Sequence, residues 1–239
     1  MQKGIFVTGA GTGVGKTVIA AGLAACLREI GESVGVMKPV ETGCARVNGR
    51  LVPHDALFLK AAAGCKDDLS DIVPYVFESP LAPALAAERE GRRISIRRIM
   101  NAFQALSSRH DLVIVEGAGG LLAPITARYF YADLAARLAL PAIVVAGAHL
   151  GTINHTLLTL QCAERAGIKV LGVVMDHLSP EEGLAEATNA AALRRWARVP
   201  FLGELPFLPQ VNVETIRETL KRSLDIERIL RMIEGNPKS

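Results

Sequence analysis

Nine residues constrain this chain more than any others. Gly9-Ala10-Gly11-Thr12-Gly13-Val14-Gly15-Lys16-Thr17 follow an apolar triplet, Ile5-Phe6-Val7, and lead into a run of helical period from Val18 to Ile30. Glycines let the backbone turn tightly and aim its N–H groups inward, and the following helix adds the partial positive charge of its N-terminus. Strand, glycine turn and helix in this order make a cradle for phosphate oxygens. Lys16 is placed to reach the β- and γ-phosphates of a nucleotide, and the Thr17 hydroxyl to ligate Mg²⁺. The loop is a variant: Ala10 stands where the first glycine is usual, and Gly9 lies one residue further back.

The rest of the chain agrees with a phosphate loop. Ser33 to Met37, Asp111 to Val115, Ala142 to Ala146 and Val170 to Val174 are short apolar runs of the kind buried on both faces of a parallel sheet. Between them lie segments of helical period near Ile99 to Ser107, Thr152 to Ala166 and Glu182 to Trp196, with a last helix expected from Val213 to Met232. Alternating strands and helices predict an α/β fold, a doubly wound, mostly parallel sheet flanked by helices, with ligands at the carboxyl ends of the strands. The 239 residues contain no Pro/Ser-rich linker, so one P-loop domain spanning 1–239 is expected.

Composition narrows the function. The 27 basic and 24 acidic residues leave a net charge of +3, too little and too evenly spread to point to nucleic acid. Cys26, Cys44, Cys65 and Cys162 form no CxxC or zinc spacing and read as reduced thiols. The apolar stretch from Leu134 to Ala148 is broken by Arg137 and Pro141, so no membrane span is expected. The N-terminus runs straight into a strand and glycines, without a secretory signal, and a cytoplasmic location follows as the expectation.

Three more charged groups stand near strand ends. Glu116 ends the run from Asp111 and precedes Gly117-Ala118-Gly119-Gly120, which places a carboxylate opposite the phosphate loop and favours metal contact over a loop salt bridge. Lys38 follows the strand ending at Met37; by itself, such a lysine is more often a solvated loop residue. Asp55 opens an apolar-periodic segment and on local grounds reads as a helix cap. His54, His149, His155 and His177 show no metal-binding spacing and read as structural or surface residues.

Taken together, several segments resemble the dethiobiotin synthetase family. They are Phe6-Val7-Thr8-Gly9 with Val14-Gly15-Lys16-Thr17, Lys38-Pro39-Val40-Glu41-Thr42-Gly43, Asp55-Ala56-Leu57, and Pro74-Tyr75-Val76-Phe77 with Pro80 and Pro83. Val115-Glu116-Gly117-Ala118-Gly119-Gly120, Leu150-Gly151-Thr152-Ile153-Asn154-His155 and Leu202-Gly203-Glu204-Leu205-Pro206 follow in the same order. The resemblance implies an ATP-dependent ligase of biotin biosynthesis that closes the ureido ring of dethiobiotin from 7,8-diaminopelargonate and CO₂. It implies Mg²⁺ held by Thr17, Asp55 and Glu116, with ATP as co-substrate. Lys16 and Lys38 would hold carbamate and phosphate oxygens, with Thr12 beside the reacting groups. Nucleotide contacts would come from Gly13, Val14, Gly15, Lys16, Thr17, Val18, Asp55, Glu116, Gly117, Ala118, Gly119, Asp176, His177, Pro206 and Phe207. Thr42 would contact the carbamate or a substrate amine. Gly151, Thr152 and Asn154, from the other subunit of a homodimer, would take the substrate's tail carboxylate.

The chain departs from the family at Gly11 and Gly13, where acids are common, and at Asp176, where Asn is common. An amide donates and accepts, whereas an ionised carboxylate only accepts, so a relaxed or altered base preference is expected. Two alternative classes share the loop. A partitioning or division-site switch ATPase would carry a second lysine in the loop, where Gly11 stands. A cobalamin-pathway synthetase relative would append a glutamine-hydrolysing domain, for which 239 residues leave no room.

Overall fold

The computed structural model describes residues 3–181 and 183–235. At its centre lies a six-stranded sheet of β1 (Gly4–Gly9), β2 (Val34–Met37), β3 (Leu112–Glu116), β4 (Ala142–Gly147), β5 (Val170–Asp176) and β6 (Phe201–Leu205). The order is β6-β5-β4-β1-β3-β2, and every pairing is parallel. β1 therefore sits inside, with β3 on one side and β4 on the other. Its register sets Val7 against Glu116 and Gly9 against Val145, so the loop leaving β1 emerges between two strand ends. This is the topological switch point, where an open α/β sheet forms a crevice.

Ten helices cover the sheet: α1 (Lys16–Glu29), α2 (His54–Ala63), α3 (Leu69–Ile72), α4 (Pro83–Arg89), α5 (Ile96–Ser107), α6 (Tyr131–Leu138), α7 (Thr152–Arg165), α8 (Leu184–Trp196), α9 (Val213–Ser223) and α10 (Ile226–Ile233), counted among the described residues. Strand alternation divides the core. Ile5 and Val7 face α1, α2, α9 and α10, while Phe6, Val113 and Val115 face α5 and α6. A smaller cluster joins Val144, Ala146 and Met175 to Ala190 and Leu193 of α8. Both faces are covered, which is why these strands read as continuous apolar runs. No helix among the described residues is long and apolar enough to cross a membrane.

Element boundaries correct the sequence reading in places. α1 starts at Lys16, two residues before the expected Val18, because the phosphate loop itself supplies the first turn. α5 starts at Ile96, where the Ser95 hydroxyl accepts the Arg98 N–H. The expected start of α8, Glu182, lies outside the described residues. The single C-terminal helix expected from Val213 to Met232 is two helices. Leu224 is extended (φ −129°, ψ 144°), and Asp225 caps α10 by accepting the Arg228 N–H at 2.8 Å. A capping carboxylate offers the backbone an alternative to continued helix, and the buried Leu224 rewards the break.

From Ile19 to Leu27 every residue of α1 is buried, because α2 and α9 lie across it. Small residues allow that approach. A Cβ at Gly22 would meet Ile216 Cγ2 at 2.6 Å and Leu220 Cδ2 at 2.9 Å, both on α9. Alanine is the better helix former by about 1 kcal/mol, but overpacking costs about 1–3 kcal/mol. Gly22→Ala is therefore expected to destabilise the protein on balance, read as a lower urea midpoint with an unchanged slope.

Candidate functional site

The phosphate loop connects β1 to α1. Gly13 (φ 72°) and Gly15 (φ 89°) both adopt left-handed backbone, which glycine alone enters freely. Gly15 is restricted a second time, since a Cβ there would lie 1.7 Å from Asp176 Oδ2. The Lys16 ammonium donates to the Gly11 carbonyl at 2.8 Å. Burial, with Lys38 adding to it, lowers Lys16 to about 8, against the pull of Glu116 and Asp55.

A second charged group sits beside the loop. Lys38, carried just past β2, is only 4% exposed, so the solvated-loop reading does not apply to it. Its ammonium donates to Asp55 Oδ2 at 2.8 Å and to Glu116 Oε1 at 2.5 Å. Burial opposes its charge, and the two carboxylates outweigh burial and hold it above its ordinary value. Glu116, at the end of β3, also accepts the Thr17 hydroxyl at 2.8 Å. Burial raises the Glu116 carboxyl, and Lys38 and Thr17 pull it back. Asp55 is not the cap of α2; that position is Pro53, and Asp55 lies in the first turn with its side chain turned to Lys38.

These groups line one cavity of about 760 Å³. It runs from Thr12–Val18 past Lys38, Asp55, Glu116, Ala118 and Gly119 to Thr42 and an apolar strip of Pro80, Leu81, Ala82 and Pro83. Asp176 and Leu178 close it on the β5 side. Gly117 lies behind the lining, against the rings of Phe6 and Tyr131. His177, Pro206 and Phe207 lie outside the lining; the His177 N–H extends the β5–β6 ladder to the Leu205 carbonyl at 2.9 Å, and its ring faces Glu204. Gly151, Thr152 and Asn154 are also outside this cavity, at the start of α7, where Gly151 is left-handed (φ 95°). The Thr152 hydroxyl is buried there without a partner.

Sequence reasoning passed over Glu41, Leu81, Ala82, Ala123 and Leu178, all of which line the cavity. Glu41 stands between Lys38 and Thr42, and a carboxylate within three residues of a strand-end lysine was the available signal. It passed over Tyr131 too, which is fully buried behind Gly117.

Asp55 and Glu116 bring two carboxylates together, balanced by Lys38 and Lys16, and Glu116 Oε2 is buried with no partner among the described residues. Hard oxygen donors of this kind suit Mg²⁺. No three His, Cys, Asp or Glu side chains gather for a metal among the described residues, so a cation held here would need phosphate and water oxygens to complete its shell.

Fold and site together define the class: a P-loop nucleoside-triphosphate-binding protein. Solved structures agree on the fold. The septum site-determining protein MinD with Mg-ADP from Pyrococcus horikoshii OT3 superposes with a TM-score of 0.57 at 15% identity over the whole of both chains. A ParA family ATPase from Chlorobium tepidum TLS gives 0.54 at 14% identity, over 100% of this chain and 95% of its own. A family model described as AAA domain (AAA_26) matches residues 3–215. Sequence relatives are more specific. The chain is 46% identical over 210 residues to the ATP-dependent dethiobiotin synthetase BioD of Anaeromyxobacter dehalogenans, covering 88% of this chain and 92% of the relative. It is 40% identical over 233 residues to the protein of that name from Bacillus licheniformis, covering 98% of each. The chain belongs to the dethiobiotin synthetase family.

Asp176 gives the site a pH dependence. Burial alone pushes its carboxyl up from 3.8 to about 7, with no counter-charge among the described residues to offset it. Its folded-state value lies above its unfolded one, so its contribution to stability is full below pH 3.8 and is lost as pH rises through about 7. Relative to Asp176→Asn, the wild-type protein without nucleotide should lose roughly 4 kcal/mol between pH 3.5 and pH 8 in chemical unfolding.

Proposed function

We propose that this protein is an Mg²⁺- and ATP-dependent dethiobiotin synthetase acting on 7,8-diaminopelargonate and CO₂. The observation that carries the reading is the buried Lys38, held between Asp55 and Glu116 beside Thr17 and Lys16 in one cavity. A nucleotide-binding scaffold needs no second buried cation; a reaction that joins a carbamate to a triphosphate does.

The reaction gathers negative charge. One amine of the diamine captures CO₂ as a carbamate and releases a proton. A carbamate oxygen attacks the γ-phosphorus in line with the departing ADP. The second amine then attacks the carbonyl carbon of the mixed anhydride, phosphate leaves, and the ureido ring closes. In this reading Lys16 leaves the Gly11 carbonyl for the β- and γ-phosphate oxygens, and the phosphate-loop N–H groups hold the rest of the triphosphate. Lys38 gives up part of its hold on Asp55 and Glu116 to meet the carbamate oxygens, with Thr12 and Thr42 alongside. Thr17, Asp55 and Glu116 would hold Mg²⁺, which would neutralise charge on the phosphates when bound. Ala118 and Gly119 line the reacting groups with backbone, Gly117 supports them from behind, and the strip from Pro80 to Pro83 offers apolar surface for the hydrocarbon chain. Gly151, Thr152 and Asn154 lie outside this cavity, which suits the homodimer reading: they would serve the partner subunit's substrate carboxylate.

Asp176 bears on the base. A protonated carboxyl donates and accepts as an amide does, while the ionised form only accepts. Near pH 7 both forms are populated, and discrimination between ATP, GTP and CTP is expected to weaken relative to Asp176→Asn. His177, Pro206 and Phe207 would stand behind the base.

Phosphate release from Mg-ATP, measured with and without 7,8-diaminopelargonate and bicarbonate, should need both, with dethiobiotin formed in step. Release indifferent to the diamine would reject the synthetase and favour a switch ATPase. Lys16→Ala should abolish turnover. Lys38→Ala should lower kcat about 10²–10³-fold with nucleotide affinity largely kept, as for loss of a group that stabilises transition-state charge; full turnover in this variant would remove Lys38 from the reaction.

A further inference from the structure

We propose that Glu41 is the positioning residue for Asp55: its carboxylate caps the first turn of α2 from outside the helix and so fixes the backbone from which Asp55 meets Lys38. The inference rests on the metal-site reading above.

α2 lacks a cap of its own. Pro53 occupies the cap position and has no side-chain oxygen to offer. The N–H groups of Asp55 and Ala56 have no partner within the helix, and Ala56 is fully buried, away from water. An unsatisfied buried donor costs about 1–3 kcal/mol. Glu41 meets both: Oε1 accepts the Asp55 N–H at 3.0 Å and Oε2 accepts the Ala56 N–H at 2.9 Å. A carboxylate at this end of a helix also faces the positive pole of its dipole.

Glu41 is itself held. It is 5% exposed, its strand Val40–Glu41 pairs with Tyr75–Val76, and its carbonyl accepts the Phe77 N–H at 2.9 Å. Three residues earlier in the same segment, the Lys38 N–H donates to the Ile72 carbonyl at 2.7 Å. One short segment therefore grips Asp55 twice, by its side chain through Lys38 and by its backbone through Glu41. The second grip matters because the Asp55 side chain is 40% exposed and has no other ion-pair partner among the described residues. Glutamine cannot replace Glu41, since its single oxygen serves one N–H and its amide nitrogen would confront the other as donor against donor.

The test measures retention of Mn²⁺ with ADP by electron paramagnetic resonance in the full chain, alongside kinetics. Glu41→Ala and Glu41→Gln should each weaken Mn²⁺ retention roughly 10- to 100-fold, the usual effect of losing a residue that orients a ligand. Metal-free ADP binding should stay unchanged. Asp55→Ala should weaken Mn²⁺ retention to a similar extent, and the double variant Glu41→Ala/Asp55→Ala should lose little more than either alone, because the two act through one ligand. Pro53→Ser in the Glu41→Ala background should recover Mn²⁺ retention by supplying a local cap. Unchanged retention in both Glu41 variants, additive losses in the double variant, or no recovery with Pro53→Ser would each overturn the inference. Failure of the synthetase reading would show separately, as wild-type phosphate release that ignores the diamine.

Discussion

The site depends on keeping one ammonium charged out of water. Lys38 is buried, and what holds its charge is Asp55 from the start of α2 and Glu116 from the end of β3. Removing one partner from a buried pair costs about 3–5 kcal/mol, whereas replacing a whole pair with apolar groups is often neutral or stabilising. A buried charge cluster is thus a poor way to gain stability. Its presence at the carboxyl ends of the central strands, where open α/β sheets bind ligands, argues that the fold maintains it for chemistry.

That cluster and the phosphate loop form one electrostatic unit. Thr17 belongs to the loop's helix yet donates to the same Glu116 oxygen that Lys38 uses, leaving Glu116 Oε2 buried and unpartnered. With Lys16 folded onto the Gly11 carbonyl, both lysines hold internal acceptors instead of a ligand. Each is therefore desolvated before any ligand arrives, which lowers the reorganisation needed when negative charge develops. Glu116 Oε2, on the carboxylate that Thr17 and Lys38 share, is a hard oxygen left for a cation.

The strands were legible because a sheet buried on both faces leaves uninterrupted apolar runs, and the phosphate loop because glycine, lysine and threonine at fixed offsets have few other uses. Glu116 was legible as the last residue of such a run. The C-terminal helix was not, because its amphipathic period continues through the break and only the Asp225 side chain interrupts it. Lys38 and Asp55 were legible in combination only. Each alone looks like surface, and what buries the lysine is a pairing across 17 and 78 residues that no local pattern encodes. Glu41 carried only the weak signal of a carboxylate close to Lys38, because its capping of α2 from a separate strand leaves no mark in the sequence around that helix.

The fold is shared with a MinD and a ParA family ATPase at 15% and 14% identity, so the fold by itself chooses no activity. In this chain the loop position that a switch ATPase gives to a second lysine is Gly11, whose carbonyl takes Lys16. The second cation comes instead from the end of β2, inside the cavity and next to an apolar strip. A lysine so buried faces whatever binds within its own cavity. What the shared fold does not decide, the side chains at its strand ends do, and here they set a second lysine beside the phosphate loop.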